Sequence, residues 1–365
     1  MSPQIWSSMT AFMTTARRGP RRRLVTIAIG AVTTAAVGVV LAGCTPTSAS
    51  SHAETIVLYN AQHEQTTTAL VAAFTKKTGI QVKVDNDDED VLTAKVEQEG
   101  SRSPADVIYT ENSNWLQQLD DRKLLSTVDA ATLAHVPTAD SAANGKWVAV
   151  TARVSALVYN LKDVAPADLP TSVMQLADPK WKGKLELAPA ETDFWPVVSS
   201  VDHTYGDAAT LAWLKALKVN AGANDGLPDN ETLTADVSKG LGDLGVINHY
   251  YFYRLRAEVG KSSFHAGLHF FAPGDAGYIR TISGAAVLAS SKHQAAAQKF
   301  VNFITSPQGQ TVIAHSASFE YPLAAGVAAN SELPAISTLS PNAFSPAEFG
   351  TGEDAKKLLQ EAQLL

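Results

Sequence analysis

Between residues 56 and 111 the chain alternates strand and helix patterns with little in between, and that alternation limits its fold more than any other feature. Residues 56–59, IVLY, form a short β-rich run, and the polar turn NAQHEQ follows. A helix is expected over 66–77, where Leu70, Val71 and Phe74 share one face and Gly79 ends it. Ile80, Val82 and Val84 then alternate with polar residues as a strand does, 91–99 reads as a second helix, and the strand ADVIYT runs into Glu111. Strand, helix, strand, helix, strand argues for an α/β layer on a mostly parallel sheet. Ligands of such sheets sit at the carboxyl ends of the strands, which is where His63 and Glu111 fall.

The segment 147–159, WVAVTARVSALVY, is too long for one ordinary strand and is expected to cross between two lobes. Beyond it, 213–217 and 235–241 read as helices, 244–247 as a strand, 250–259 as a helix, 285–289 as a strand and 294–305 as a helix, which makes a second α/β unit. Within it the stretch INHYYFYR places Tyr250, Tyr251 and Tyr253 among four residues, in a chain with nine tyrosines. Adjacent side chains on a helix point about 100° apart, so a core seldom takes both rings. These tyrosines start a helix just after a strand, on the same kind of rim as His63 and Glu111. If two lobes face each other, Tyr250, Tyr251, His63 and Glu111 converge in the cleft.

The N-terminus is of another kind. Arg17, Arg18, Arg21, Arg22 and Arg23 precede the uncharged run LVTIAIGAVTTAAVGVVL, a basic segment followed by a hydrophobic one, as in an export signal. The run ends in LAGC, which resembles the lipobox of bacterial lipoproteins and implies acylation of Cys44, the single cysteine. The expected division is therefore a signal peptide at 1–43, a lipid-anchored linker at 44–54, one lobe from 55–152 with 276–322, and a second from 153–275 with 323–365. Without residues 1–43 the chain carries 24 basic and 36 acidic residues. That balance argues against a nucleic-acid partner and agrees better with a cationic ligand.

Two tyrosines, a glutamate and a histidine form a poor catalytic set but a good one for a hard, highly charged cation. Two phenolates and a carboxylate carry the three negative charges that neutralise Fe(III). Phenol ionises at about pH 10, so neutral-pH phenolate needs a strong local positive charge. From spacing alone, packing of Tyr250 and Tyr251 at an interdomain surface is the favoured reading, because adjacent tyrosines are common. Stacking on a polyamine- or thiamine-like cation and a metal-dependent hydrolase built on the histidines remain open.

YNAQHEQ, PADVIYTEN, INHYYFY, SGAAVL and EYPL, in this order over nearly all of the chain after residue 44, resemble the bacterial ferric-ion-binding proteins of ABC importers. The resemblance implies a two-lobed type II periplasmic-binding-protein fold that closes on its ligand. It implies iron ligation by His63, Glu111, Tyr250 and Tyr251, and no enzymatic activity. It also implies a monomer that serves a membrane permease and a cytoplasmic ATPase from outside the cytoplasmic membrane. A small synergistic anion, carbonate or phosphate, completes the iron shell in that family, and by motif position Asn112, Asn230 and Asn248 are expected to help hold it. At the anion site the sequence departs from the family with APAETDF, which brings in Glu191, Thr192 and Asp193. Arg153, the lone charge in a long apolar segment, needs a carboxylate or anion, and Glu191 is expected to replace the anion, either by ligating iron directly or by filling the anion site near Arg153.

Two other patterns carry weaker metal signals. The run DNDDED, 85–90, lacks the glycine and the closing glutamate of a calcium loop and reads as a solvated loop. His265 and His269 in HAGLH have the spacing of helical zinc ligands, but Gly267 weakens the helix.

Overall fold

The computed structural model describes residues 53–365. The expected signal segment 1–43 and Cys44 lie outside the described residues.

The opening alternation folds much as its pattern predicts. Strand β1 (Thr55–Ala61) leads into the helix Glu64–Thr78, β2 (Gln81–Asn86), the helix Glu89–Glu99, β3 (Val107–Thr110) and the helix Ser113–Asp121. Gly79 takes φ +77°, a left-handed conformation open to glycine at little cost, and its N–H closes the first helix on Thr75 O. Leu70 and Phe74 from that helix are buried, and Phe74 packs edge-on against Phe300 at 5.1 Å between ring centroids. Phe300 belongs to the helix Gln294–Thr305, whose bounds agree with the expected 294–305. Each such aromatic stabilises the fold by about 1.5–3 kcal/mol through removal from water.

The long apolar segment is one continuous strand, β4 (Val148–Asn160), buried at all thirteen positions. The remaining strands are β5 (Leu185–Glu186), β6 (Leu244–Asn248), β7 (Ala266–His269), β8 (Arg280–Val287) and β9 (Tyr321–Pro322), and the sheet order is β2-β1-β3-β8-β4-β6-β5, with β7 and β9 also paired to β4. Residues 148–154 of β4 face β8, while 155–160 face β6 and β7. One strand thus serves two halves of the sheet, and its partners change between Val154 and Ser155.

The three strands of the opening alternation pair in parallel as expected, but the sheet as a whole is mixed. Only β1–β2, β1–β3 and β5–β6 are parallel, and every pairing of β4 and of β8 is antiparallel. The reason is topological. A chain that passes from one half to the other along β4 and returns along β8 must run in opposite directions on those passes, so the central pair cannot be parallel.

HAGLH is not helical either. His269 ends β7, and its Nε2 lies 3.0 Å from Pro170 O, so helical spacing does not apply to His265 and His269.

Candidate metal centre

Four side chains expected at the rims meet. The helix His249–Val259 begins directly after β6, which places Tyr250 and Tyr251 in its first turn. Their rings lie 4.2 Å apart between centroids and are tilted by 33°. Both hydroxyls donate to one atom, Asp193 Oδ2, each at 2.9 Å. Tyr250 also donates to Glu111 Oε2 at 3.2 Å. His63 stands at the end of β1, with its ring edge-on to Tyr250 at 5.1 Å. Tyr253 turns away and stacks on Phe319 at 5.9 Å, so only two of the three crowded tyrosines belong to the site.

His63 Nδ1 lies 3.2 Å from Glu111 Oε1, and its Nε2 is buried with no partner among the described residues. Burial holds the imidazole down at about 4, so the ring is neutral at physiological pH. A proton on Nδ1, facing the carboxylate, leaves the Nε2 lone pair available to a metal.

Arg153 lies beneath this group on β4 and is fully buried. Its Nη2 is 2.9 Å from Glu111 Oε2 and 3.8 Å from Asp193 Oδ1, and its Nε is 3.3 Å from Glu320 Oε1. Glu191 is not among these partners, so the expectation that it fills the site near Arg153 is corrected. Asp193, two residues on, takes the place beside Arg153. Alternate residues in a bend differ in direction, and the stretch APAETDF offered no means of telling which carboxylate turns inward. Glu191 instead lines the cleft cavity without a hydrogen bond from its side chain, and burial with the charge of Asp193 pushes it up to about 9.

Burial alone would raise Asp193, but Arg153 and the donors Tyr250, Asn112 and Tyr251 hold it below the ordinary aspartate value. Glu111 is pushed up to about 7 by burial, which Arg153 partly offsets. Burial, with the charge of Asp193, raises Tyr250 and Tyr251 well above the ordinary phenol value. In the metal-free site both are phenols, and only a strongly positive guest would convert them to phenolates.

Asn112 Nδ2 donates to Asp193 Oδ1 at 3.2 Å, so this auxiliary residue does join the group. Asn230 and Asn248 do not. Asn230 starts the helix Asn230–Lys239, and its carbonyl accepts from Thr234 Oγ1; Asn248 is buried with both side-chain polar atoms unpartnered, and neither lines the cavity. Glu320 and Arg254 escaped the sequence reading. Glu320 sits in the quoted EYPL motif, and a buried acid next to a lone apolar-segment arginine was the signal available for it.

The cavity above the site holds about 840 Å³ and is lined by His63, Glu111, Glu191, Glu231, Tyr251 and Arg254 among others. Arg153 and Arg254 lie 5.8 and 5.9 Å from the Tyr250 ring, so the protein's own guanidinium groups take the contact that an organic cation would need there.

Several known proteins are similar to this chain in sequence and fold. The Fe(3+)-binding periplasmic protein of Serratia marcescens is 41% identical over 317 residues, 87% of this chain and 93% of that protein. The major ferric iron-binding protein of Neisseria meningitidis serogroup A is 36% identical over 323 residues, again 87% of this chain and 95% of that one. Iron-bound HitA from Pseudomonas aeruginosa superposes with a TM-score of 0.80 at 39% identity, covering 85% of this chain and 99% of HitA. These relatives are binding proteins of the two-lobed type II periplasmic fold and not enzymes. With residues 60–311 matching the bacterial extracellular solute-binding protein family, the chain belongs to that family, among its ferric-ion-binding members.

Proposed function

We propose that this protein captures ferric iron outside the cytoplasmic membrane through Tyr250, Tyr251, Glu111 and His63, and delivers it to the permease of an ABC importer powered by a cytoplasmic ATPase. The observation that carries this reading is the meeting of two buried tyrosine hydroxyls on Asp193 Oδ2, beside a neutral histidine with an unpartnered nitrogen. Arg153 offsets part of the carboxylate charge, so two phenolates and Glu111 supply what Fe(III) requires. The names of the iron-binding relatives support the same cargo. Ferric iron added to metal-free protein should produce a visible phenolate-to-iron charge-transfer band. Protein that stays colourless and retains no iron overturns the reading.

The residues divide as 55–152 with 276–322 in one lobe and 153–275 with 323–365 in the other, a reading supported by the change of partners along β4 between Val154 and Ser155. Asp193 serves in place of an exogenous carbonate or phosphate. Wild-type protein should therefore hold iron equally well with and without added anion. Asp193→Ser should hold it only when carbonate or phosphate is supplied, by titration in carbonate-free buffer. A wild type that needs added anion contradicts the role of Asp193.

LAGC after the hydrophobic run supports anchoring through an acylated Cys44, with residues 45–54 as tether. Mass spectrometry of the membrane fraction should find a lipid-bearing N-terminus at Cys44. A mature form that begins downstream of Cys44 excludes the anchor.

A further inference from the structure

The acidic run at 85–90 is not wholly solvated. Glu89, the first residue of the helix Glu89–Glu99, is buried at 8% exposure and its carboxyl group receives four donors. Asn112 N–H donates to Oε1 at 2.5 Å. Oε2 accepts from Asn112 Nδ2 at 3.2 Å, from Trp115 Nε1 at 3.0 Å and from Thr192 Oγ1 at 2.9 Å. The first three donors lie on the side of β3 and the helix that follows it. Thr192 comes from the other side, just before the helix Trp195–Tyr205, which packs on the helix Asp207–Ala221.

The neighbours of these donors give the arrangement its meaning. Asn112 follows Glu111, and Thr192 precedes Asp193. One carboxyl group therefore ties together the residues adjacent to the two carboxylates that meet the tyrosines from opposite sides. Asn112 Nδ2 adds a second tie, at 3.3 Å to Thr192 Oγ1. Burial and the charge of Glu111 push Glu89 up to about 8, yet a carboxyl oxygen keeps a lone pair for the Thr192 hydroxyl in either protonation state.

We propose that Glu89 is a positioning residue for iron capture, a latch that joins the Glu111 side of the cleft to the Asp193 side through the Thr192 hydroxyl and slows escape of the metal. The latch rests on the ferric-iron reading above. Glu89 is not one of the proposed iron ligands, although it lines the same cavity. Its contacts are made without metal, so they bias the cleft toward closure before iron arrives and add their energy to retention afterwards.

Thr192→Val tests it with the least disturbance, because the side chain keeps its size and loses only the hydroxyl. Iron release into a competing chelator should accelerate about tenfold, the worth of the bond to Glu89 with the longer contact from Asn112 adding little. The rate of iron uptake should stay within about twofold of wild type. Thr192→Ser should restore slow release, which lost packing alone would not allow. Glu89→Gln should release faster than wild type as well, since its amide N–H₂ would face the donors already present. Coloured Thr192→Val protein that releases iron at the wild-type rate, or a serine variant that fails to restore it, overturns the latch alone. Wild-type protein that stays colourless overturns the iron reading, and the latch for iron falls with it.

Discussion

Replacing Tyr250 and Tyr251 together by Phe should abolish the visible band and lower iron retention against citrate by more than about a hundredfold, the upper range for loss of even a supporting partner of a metal ligand. Phe keeps the ring contact between the two positions and removes only the donor oxygens. Without them the site retains Glu111, His63 and the charge of Asp193, which Arg153 partly offsets, too little to neutralise a trivalent cation. The double variant also deprives buried Asp193 of two hydrogen bonds, so the metal-free protein should unfold more easily by about 3 kcal/mol in denaturant titration. Full iron retention in this variant would remove the tyrosines from the metal site. Changes at His63 or Glu111 alone should cost less, because the tyrosines sit together on one helix turn and can engage iron before the cleft closes.

Acid should strip the metal steeply. Tyr250 and Tyr251 are held far above the ordinary phenol range when the site is empty, so both carry protons at neutral pH, and ligation of iron as proposed should displace both. Each displaced proton makes affinity rise about tenfold per pH unit, so two predict a slope near +2 in the logarithm of affinity against pH. Glu111 at about 7 adds a third proton as pH drops below that value, and the slope should steepen toward about +3. His63, down at about 4, contributes nothing until well below neutrality. The sign follows because protons are bound in the free state and absent in the loaded one. Competition with a chelator, corrected for the chelator's own protonation between about pH 6 and 8, measures the slope. A flat profile would mean that phenols are not being ionised by the cargo.

Much of the first half of the fold could be read because its signals are local. Helix faces repeat every three to four residues and strand faces every two, so the elements from Thr55 to Thr110 follow from neighbours in sequence, whereas the helix Ser113–Asp121 is not among those expected. Strand direction is not local in that sense. The antiparallel pairing of β4 with β8 joins residues such as Ala152 and Ile282, and no window of sequence reports it.

The candidate site divides along the same line. Tyr250, Tyr251, His63 and Glu111 could be named because each ends or begins an element at a strand terminus, and rims of one sheet are brought together by any closed arrangement of its halves. Asp193 could not be chosen over Glu191, nor Glu89 picked from a row of acids. Their roles depend on which carboxylate turns toward Arg153 or Thr192, and the two groups at each contact lie tens to hundreds of residues apart. The amino-acid sequence by itself determined the kinds of element, the long crossing strand and the oxygen-rich character of the ligand set, since these rest on periodicity and residue chemistry. Tertiary structure alone decided strand direction, the partners of Arg153 and the tie across the cleft, because a buried charge takes the neighbour that packing delivers and not the one nearest along the chain.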